Sequence, residues 1–366
     1  MAQKVLILST YERTGGAAIA ANRLMQALRK SGAEVSMLCR KDISWGPRWL
    51  RKQSWTSIME RALIWVLNGF STKDLWATDI ALFGQDITKT KKYKEADVIH
   101  LHWVNQGFIS LSSIKRFITD GKRVVWTMHD EWPLDGASHY YYDEHRSWLD
   151  KWIVSVKQKT YYRNKIKFVT CSQWLQRISE QKILADGQEI TNIPNPIDTE
   201  LFKPLKHDNH RRVLFVAQNV NDERKGIRYL DEAAKRLDDI EIIALGRDIP
   251  YIKDVEGMAK LYASFDAFMT PSLSDNLPNT IMEAMACGVP CVGFRVGGIP
   301  EMIDHKENGY VARLKDAEDL AEGIRYVLSP ENHERLSKVA REKVMRCYSE
   351  ESVAKRYVEV YIQDKA

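Results

Sequence analysis

The sequence predicts an α/β protein of two doubly wound halves facing a central cleft. Three observations carry that expectation. Short apolar runs of strand length alternate with segments of helical spacing along the whole chain. The alternation pauses at Pro194-Asn195-Pro196 and the polar run 203–211, then restarts at Arg212. The 366 residues, 44% hydrophobic and 28% charged, are of ordinary globular composition and long enough for two cores.

Lys4–Ser9 reads as a strand. A loop over 10–16 and a helix over 17–30 follow, the helix carrying Ile19, Leu24, Met25 and Leu28 on one face. Gly32 ends that helix, and Glu34–Cys39 completes a β-α-β opening. Gly15 and Gly16 make either a tight turn into the helix or a backbone that a ligand approaches closely. No G-x-G occurs in the chain, so the dinucleotide fingerprint is absent.

Residues 45–70 interleave Trp45, Trp49, Trp55 and Trp65 with Arg48, Arg51, Lys52 and Arg61. Leu50, Ile58, Met59, Ala62, Leu63, Val66 and Leu67 give an apolar face. A basic, Trp-bearing amphipathic helix can lie in a membrane interface. Packing of that face on its own domain is the commoner outcome.

The alternation resumes with a strand at 98–102, a helix at 109–119 and a strand at Arg123–Met128. His100 and His102 share one strand face and read as satisfied buried histidines. His129-Asp130 stands at a strand's carboxyl end, where function is expected in an open parallel sheet. The aromatic loop 136–142 either lines a pocket or folds over its domain. A helix at 148–162, a strand at 168–171, a helix capped by Ser172 and running toward Leu184, and a strand at 190–193 complete this half.

The second half opens with a strand at 212–217, a helix from Lys225-Gly226 to Leu237, and a strand at 240–245 that ends in Gly246-Arg247. A helix at Val255–Ala263 leads to a buried strand at 265–270 and a polar loop at 272–279. The helix 280–287 is stopped by Gly288, where a left-handed cap is wanted. A strand at 289–294, the pair Gly297-Gly298, a turn at Asn308-Gly309 and helices at 316–328, 331–347 and 349–362 finish the chain. Asp275 and Glu283 therefore lie beyond one strand's carboxyl end, and the first amides of the 280 helix can hold a phosphate. With Arg224 and Lys225 nearby, the residues alone point to a phosphate-bearing ligand.

The net charge of +5 is uneven. Residues 1–205 carry 30 Lys and Arg against 21 Asp and Glu, and the remainder carries 24 against 28. The first half thus suits an anionic partner: nucleic acid, a membrane surface or a phosphorylated substrate. No nucleic-acid recognition motif is present. The chain shows no signal-peptide pattern and no apolar run of membrane-spanning length. Five scattered cysteines fit a reduced, cytoplasmic setting. Cys287 and Cys291 read as buried apolar residues.

Several motifs together resemble the GT4-type retaining glycosyltransferases of the GT-B fold, in the branch found among bacterial surface-polysaccharide enzymes. They are Asp275-x7-Glu283, Glu283-Ala284-Met285-Ala286-Cys287-Gly288, Gly297-Gly298-Ile299-Pro300-Glu301, Asn308-Gly309, Ile193-Pro194-Asn195-Pro196, Lys225-Gly226, Gly15-Gly16, His100-Leu101-His102-Trp103 and His129-Asp130-Glu131-Trp132-Pro133. The resemblance implies two Rossmann-like domains. These are an acceptor-binding one over 1–205 and a donor-binding one over 206–346, and a terminal helix over 347–366 returns to the first. It implies sugar transfer from a UDP- or GDP-linked donor to a glycan or polyprenyl-linked acceptor. Glu283 would bind the ribose diol, Asp275 the transferred sugar, Asn279 and Thr280 the diphosphate, and Lys225 the leaving group's charge. His129 would bond the donor sugar, while Gly15, Gly16 and Gly246 line the nucleotide site. The family's Gly-Arg pair is here Gln218-Asn219, so Arg224 is expected to supply that charge. No Asp-x-Asp pair is present, and neither metal nor cofactor is expected. An epimerase on the same fold and a non-catalytic sugar-binding subunit are the rival expectations. The expected setting is the cytoplasm, at the inner membrane face, with residues 45–70 as a peripheral contact.

Overall fold

The computed structural model describes residues 3–43, 54–139, 148–161, 164–206 and 211–362. Trp45, Arg48, Trp49, Leu50, Arg51 and Lys52 of the expected amphipathic helix lie outside them, as do Tyr140, Tyr141 and Tyr142 of the aromatic loop. The chain divides into two compact units, 1–193 with 354–366 and 194–353. The division falls at Ile193, ahead of the polar run near 205. The stretch after Pro194 packs within the second unit, where the Ile197 amide donates to the Tyr348 carbonyl (2.9 Å).

The first unit holds a six-stranded parallel sheet in the order β2-β1-β3-β4-β5-β6. Its elements are β1 (Lys4–Ser9), α1 (Gly16–Lys30), β2 (Glu34–Cys39), α2 (Arg40–Ile43), α3 (Trp55–Leu67), α4 (Lys91–Glu95), β3 (Val98–Leu101), α5 (Leu111–Thr119), β4 (Arg123–Met128), α6 (Trp148–Tyr161), β5 (Ile166–Thr170), α7 (Gln173–Glu180) and β6 (Glu189–Asn192). Strands β3 and β5 are buried along their whole length, as parallel strands covered on both faces must be. Leu6, Ile99, Val124, Trp126 and Phe168 form the core between the sheet and its helices. Two of its helices start at side-chain caps: the Ser110 hydroxyl accepts from the Ser113 amide, and that of Ser172 from Leu175. The Ser172 helix is shorter than expected and ends at Glu180, with a separate 3-10 turn at Ile183–Ala185.

Helix α3 departs furthest from the sequence reading. The side it buries carries Ser57, Glu60, Arg61 and Ile64, while Trp55, Met59, Trp65 and Val66 are exposed. Its apolar residues are split: Ile64, Leu63 and Leu67 pack on Ile80, Ala137 and Ile153 of the same unit, while Trp55, Met59, Ala62 and Val66 face outward.

The second unit holds a five-stranded parallel sheet, β11-β10-β9-β7-β8. Its elements are β7 (Arg212–Val216), α8 (Ile227–Ala234), β8 (Glu241–Leu245), α9 (Val255–Ala263), β9 (Ala267–Thr270), α10 (Asn279–Ala286), β10 (Cys291–Phe294), α11 (Ile299–Met302), β11 (Gly309–Ala312), α12 (Ala317–Val327) and α13 (His333–Cys347). Val213, Phe215, Met269, Val292, Phe294 and Ile324 fill its core. Cys287 and Cys291 are buried in this unit, and burial pushes the Cys287 thiol up to about 12. Helix α8 stops three residues early, where Arg236 and Leu237 donate to carbonyls three residues back. The last helix, α14 (Glu350–Ile362), ends within the first unit. There the Tyr357 hydroxyl lies 2.8 Å from Thr127 Oγ1, and the Tyr361 hydroxyl 2.7 Å from His100 Nδ1.

Candidate active site

In each sheet the chain first winds one way and then reverses. The reversal lies between β1 and β3 in the first unit and between β7 and β9 in the second. At such a switch point the loops beyond the strand ends part and leave a crevice for ligands.

In the second unit, the loops after β7 and β9 meet there. Lys225 Nζ, from the first loop, is 2.6 Å from Asp275 Oδ2 of the second. The Leu273 amide donates to the Arg224 carbonyl (2.7 Å), which fastens the two loops together. Two glycines permit the approach. A Cβ on Gly226 would lie 1.9 Å from the Pro271 carbonyl oxygen, and one on Gly297 would lie 1.7 Å from that of Asp275. Both also have positive φ, at 70° and 56°. The loops after β7, β9 and β10 thus form one floor.

Helix α10 begins on that floor. Pro278 precedes it and supplies no capping side chain, so the first amides face whatever lies ahead of the helix. Asn279 is its first residue, and its side-chain oxygen accepts from Asn195 Nδ2 (3.2 Å). Thr280 follows, half-buried, and Glu283 is buried one turn on. Gly288 closes the helix with φ 73°, the left-handed cap the sequence called for. Arg224 is gripped by Asp222 through two side-chain bonds, 3.1 and 2.6 Å long. Burial raises the Asp222 carboxyl, but Arg224 outweighs it and holds the group below its ordinary range. Gly246 lies at the exit of β8, where a Cβ would touch the Val220 side chain.

In the first unit, Gly15 has φ 88° and precedes the first turn of α1, with open space where a Cβ would be. The loop after β1 is tied to the loop after β3, since the Thr10 amide donates to the Trp103 carbonyl (2.8 Å). His102 and His129, at the ends of β3 and β4, are bonded through Nδ1 and Nε2 at 3.0 Å. Cys171 Sγ lies 3.9 Å from the other nitrogen of His129. Burial lowers His100 to about 3 and His129 to about 4, so both imidazoles are neutral near pH 7. A neutral imidazole serves a sugar hydroxyl by hydrogen bonding rather than by charge.

A second polar cluster escaped the sequence reading. His139 bonds Asp130 Oδ2 (2.8 Å) with one ring nitrogen and Asp79 Oδ2 (2.7 Å) with the other. Burial opposes its charge, but the two carboxylates outweigh that and raise it to about 9. Arg61 pairs with the other Asp79 oxygen. The adjacent pair His129-Asp130 was a sequence signal for this place. Asp79 lies in a stretch with no period, and nothing local marks it.

The pattern of the Glycosyltransferase Family 4 matches residues 14–201, and that of the Glycosyl transferases group 1 matches residues 210–330. The chain is 36% identical over 107 residues to an N-acetyl-alpha-D-glucosaminyl L-malate synthase of Bacillus anthracis, covering 29% of this chain and 28% of that one. It is 30% identical over 181 residues to the N,N'-diacetylbacillosaminyl-diphospho-undecaprenol alpha-1,3-N-acetylgalactosaminyltransferase of Campylobacter jejuni, covering 44% and 47%. The chain thus spans less than half the length of these relatives. Among solved structures, the sucrose-phosphate synthase of Thermosynechococcus elongatus superposes with a TM-score of 0.70 at 17% identity, over 99% and 98% of the two chains. Anabaena Alr3699/HepE, solved with UDP-glucose, gives 0.65 at 16%, over 98% and 99%. These likenesses fix the fold as two Rossmann-like domains of the GT-B kind.

Proposed function

The chain belongs to Glycosyltransferase Family 4, and from that premise we propose that it moves a sugar from a nucleoside-diphosphate sugar to a glycan or lipid-linked acceptor with retention of configuration. One observation carries the proposal: Lys225 and Asp275 meet at the switch point of the second sheet, at the foot of α10 and its buried Glu283.

Each group then has a task that its chemistry suits. Glu283 accepts two hydrogen bonds from a ribose diol. The N-terminal amides of α10, at Asn279 and Thr280, take the diphosphate. Lys225 exchanges its Asp275 partner for the phosphate, where negative charge grows as the glycosidic bond breaks. Asp275, once released, accepts from hydroxyls of the transferred sugar. Arg224 supplies a second positive charge from the same loop. Gly15, Gly16 and neutral His129 serve the donor from the first domain, and Gly246 borders the nucleotide. No carboxylate in this set is assigned as a glycosyl nucleophile, so the acceptor attacks from the face the leaving group vacates. Two cationic side chains at the diphosphate make the reaction independent of a divalent metal.

The activities of the relatives support this reading. The Campylobacter enzyme's acceptor is a diphospho-undecaprenol sugar, and the Anabaena protein binds UDP-glucose. We accordingly favour a UDP-linked donor, a polyprenyl-linked acceptor in surface-polysaccharide synthesis, and a place at the inner face of the cytoplasmic membrane. Among the described residues no helix is long and apolar enough to cross a membrane.

The test is a thermal-shift screen of UDP- and GDP-sugars followed by a transfer assay in EDTA. Stabilisation by one donor and transfer undiminished by EDTA are expected. Binding without transfer would favour a non-catalytic subunit, and an isomerised donor an epimerase. Activity lost in EDTA and restored by Mn²⁺ would contradict the charge argument.

A further inference from the structure

Helix α3 exposes a large apolar stripe and buries both of its charged residues. Trp55, Met59, Ala62 and Val66, spaced four, three and four residues apart, form one exposed stripe. Trp65 stands beside it, edge-on to exposed Phe70 at 4.8 Å. The buried side holds both charged residues of the helix beside Ile64. Glu60 accepts from the amides of Ile80 (3.1 Å) and Ala81 (2.8 Å). Arg61 bonds Asp79 and the carbonyls of Leu75 and Thr78. These bonds fix the helix's rotation, so it cannot turn its stripe inward without stranding two buried polar side chains.

The surroundings extend the surface. Helix α6 belongs to the same small cluster, in which Ile64 of α3, Ile80, Ala137 and Ile153 of α6 pack together. Helix α6 exposes Trp148 and Trp152, with exposed Lys151 and Lys159 at helical spacing from them. Trp76 and Leu75 wall a groove along α3 with Ile58, Ala62 and Trp65. Every large exposed indole among the described residues, Trp55, Trp65, Trp76, Trp148 and Trp152, belongs to these two helices or the chain just after α3. Among the described residues, Arg61 and Glu60, the two charged side chains of α3, are both buried, and Lys151 and Lys159 of α6 are the exposed cations beside the indoles.

We propose that the exposed face of α3, with its neighbours on α6, is an insertion surface for a bilayer rich in anionic lipid. Indoles favour the boundary between acyl chains and headgroups, and Lys and Arg favour anionic headgroups. A face with an exposed apolar stripe, indoles and the lysines of α6, and with no exposed carboxylate on α3 itself, complements that boundary. A second copy of the chain would bring the same positive charge and be repelled. The proposal is separate from the sugar-transfer reading, because none of these residues belongs to the donor site.

The test sediments the full chain with vesicles of phosphatidylcholine alone, and of phosphatidylcholine with phosphatidylglycerol. It compares wild type with the triple variant Trp55→Ser, Met59→Ser, Val66→Ser. The wild type should bind the anionic vesicles, keep part of that binding in high salt, and show blue-shifted Trp emission. The variant should bind about tenfold less or weaker still, with unchanged circular dichroism and donor-induced thermal shift. Absence of wild-type binding, equal binding by the variant, or a solution dimer that the variant dissolves would each overturn the proposal. A wild type that binds vesicles but no nucleotide-sugar would leave this surface standing and remove the donor assignment. If the triple variant fails to fold, Val66→Ser alone, read by emission shift, gives the same decision.

Discussion

Lys225 cannot serve a diphosphate and Asp275 at full strength together. Their 2.6 Å bond has to loosen as the donor enters, so Asp275 sets how tightly the empty site holds its own cation. Asp275→Asn removes that competition and also one acceptor for the sugar's hydroxyls. Binding of the nucleoside diphosphate alone should strengthen or hold, while kcat falls about tenfold and discrimination between competing donor sugars narrows. Titration calorimetry with UDP and a mixed-donor assay check both halves. Weaker binding of UDP by the variant would mean that Asp275 positions Lys225 rather than competes for it.

The histidines make the fold sensitive to pH in two windows. His100 and His129, lowered by burial to about 3 and about 4 from 6.5, bind protons more readily in the unfolded chain. Their contribution is whole above pH 6.5 and is lost as pH falls toward 4. His139 has the opposite sign. Burial opposes its charge, but the flanking carboxylates raise it to about 9, so its contribution is whole below pH 6.5 and is lost as pH rises through 9. Thermal melts across this range should show stability declining on both sides of a plateau near pH 6.5 to 7. His129→Asn should shallow the acid limb, and an unchanged limb would remove His129 from it.

At the scale of elements, glycine explains why the loop motifs read as they do. Gly226→Ala should cost about 2–4 kcal/mol, because its Cβ meets the Pro271 carbonyl at a positive φ. Gly15→Ala, with open space at its Cβ, should cost about 1 kcal/mol, the conformational part alone. Denaturant unfolding of the two variants measures the difference, and equal losses would refute the close-packing explanation. The sequence showed where helices lie, because spacing is local. The 280 helix and its Gly288 cap could be read to within a residue. The direction α3 faces could not. Its orientation is decided by Glu60 reaching amides about twenty residues ahead and by Arg61 meeting Asp79, and an apolar stripe carries no mark of which side is dry.

At the scale of the whole molecule, the restart of the α/β alternation at Arg212 was enough to expect two parallel sheets. Those sheets place Lys225 and Asp275, fifty residues apart, on adjacent loops because β7 pairs with β9. The motifs suggested both residues, but not that they bond each other, since that depends on strand order. Of the buried cluster of Asp79, Asp130 and His139, only Asp130 stood at a marked position, because Asp79 comes from a distant stretch without a period. One half thus carries the crevice proposed for the donor, and the other carries the face proposed for the membrane that holds the acceptor.

The central claim is that the switch-point crevice of the second sheet performs sugar transfer, and single-residue variants in the transfer assay test it most directly. With the donor found by thermal shift, Lys225→Ala and Glu283→Ala should each lower transfer by about a hundredfold or more while keeping wild-type circular dichroism. Glu283→Ala should also lose the donor-induced thermal shift. Wild-type turnover by both folded variants would contradict the account.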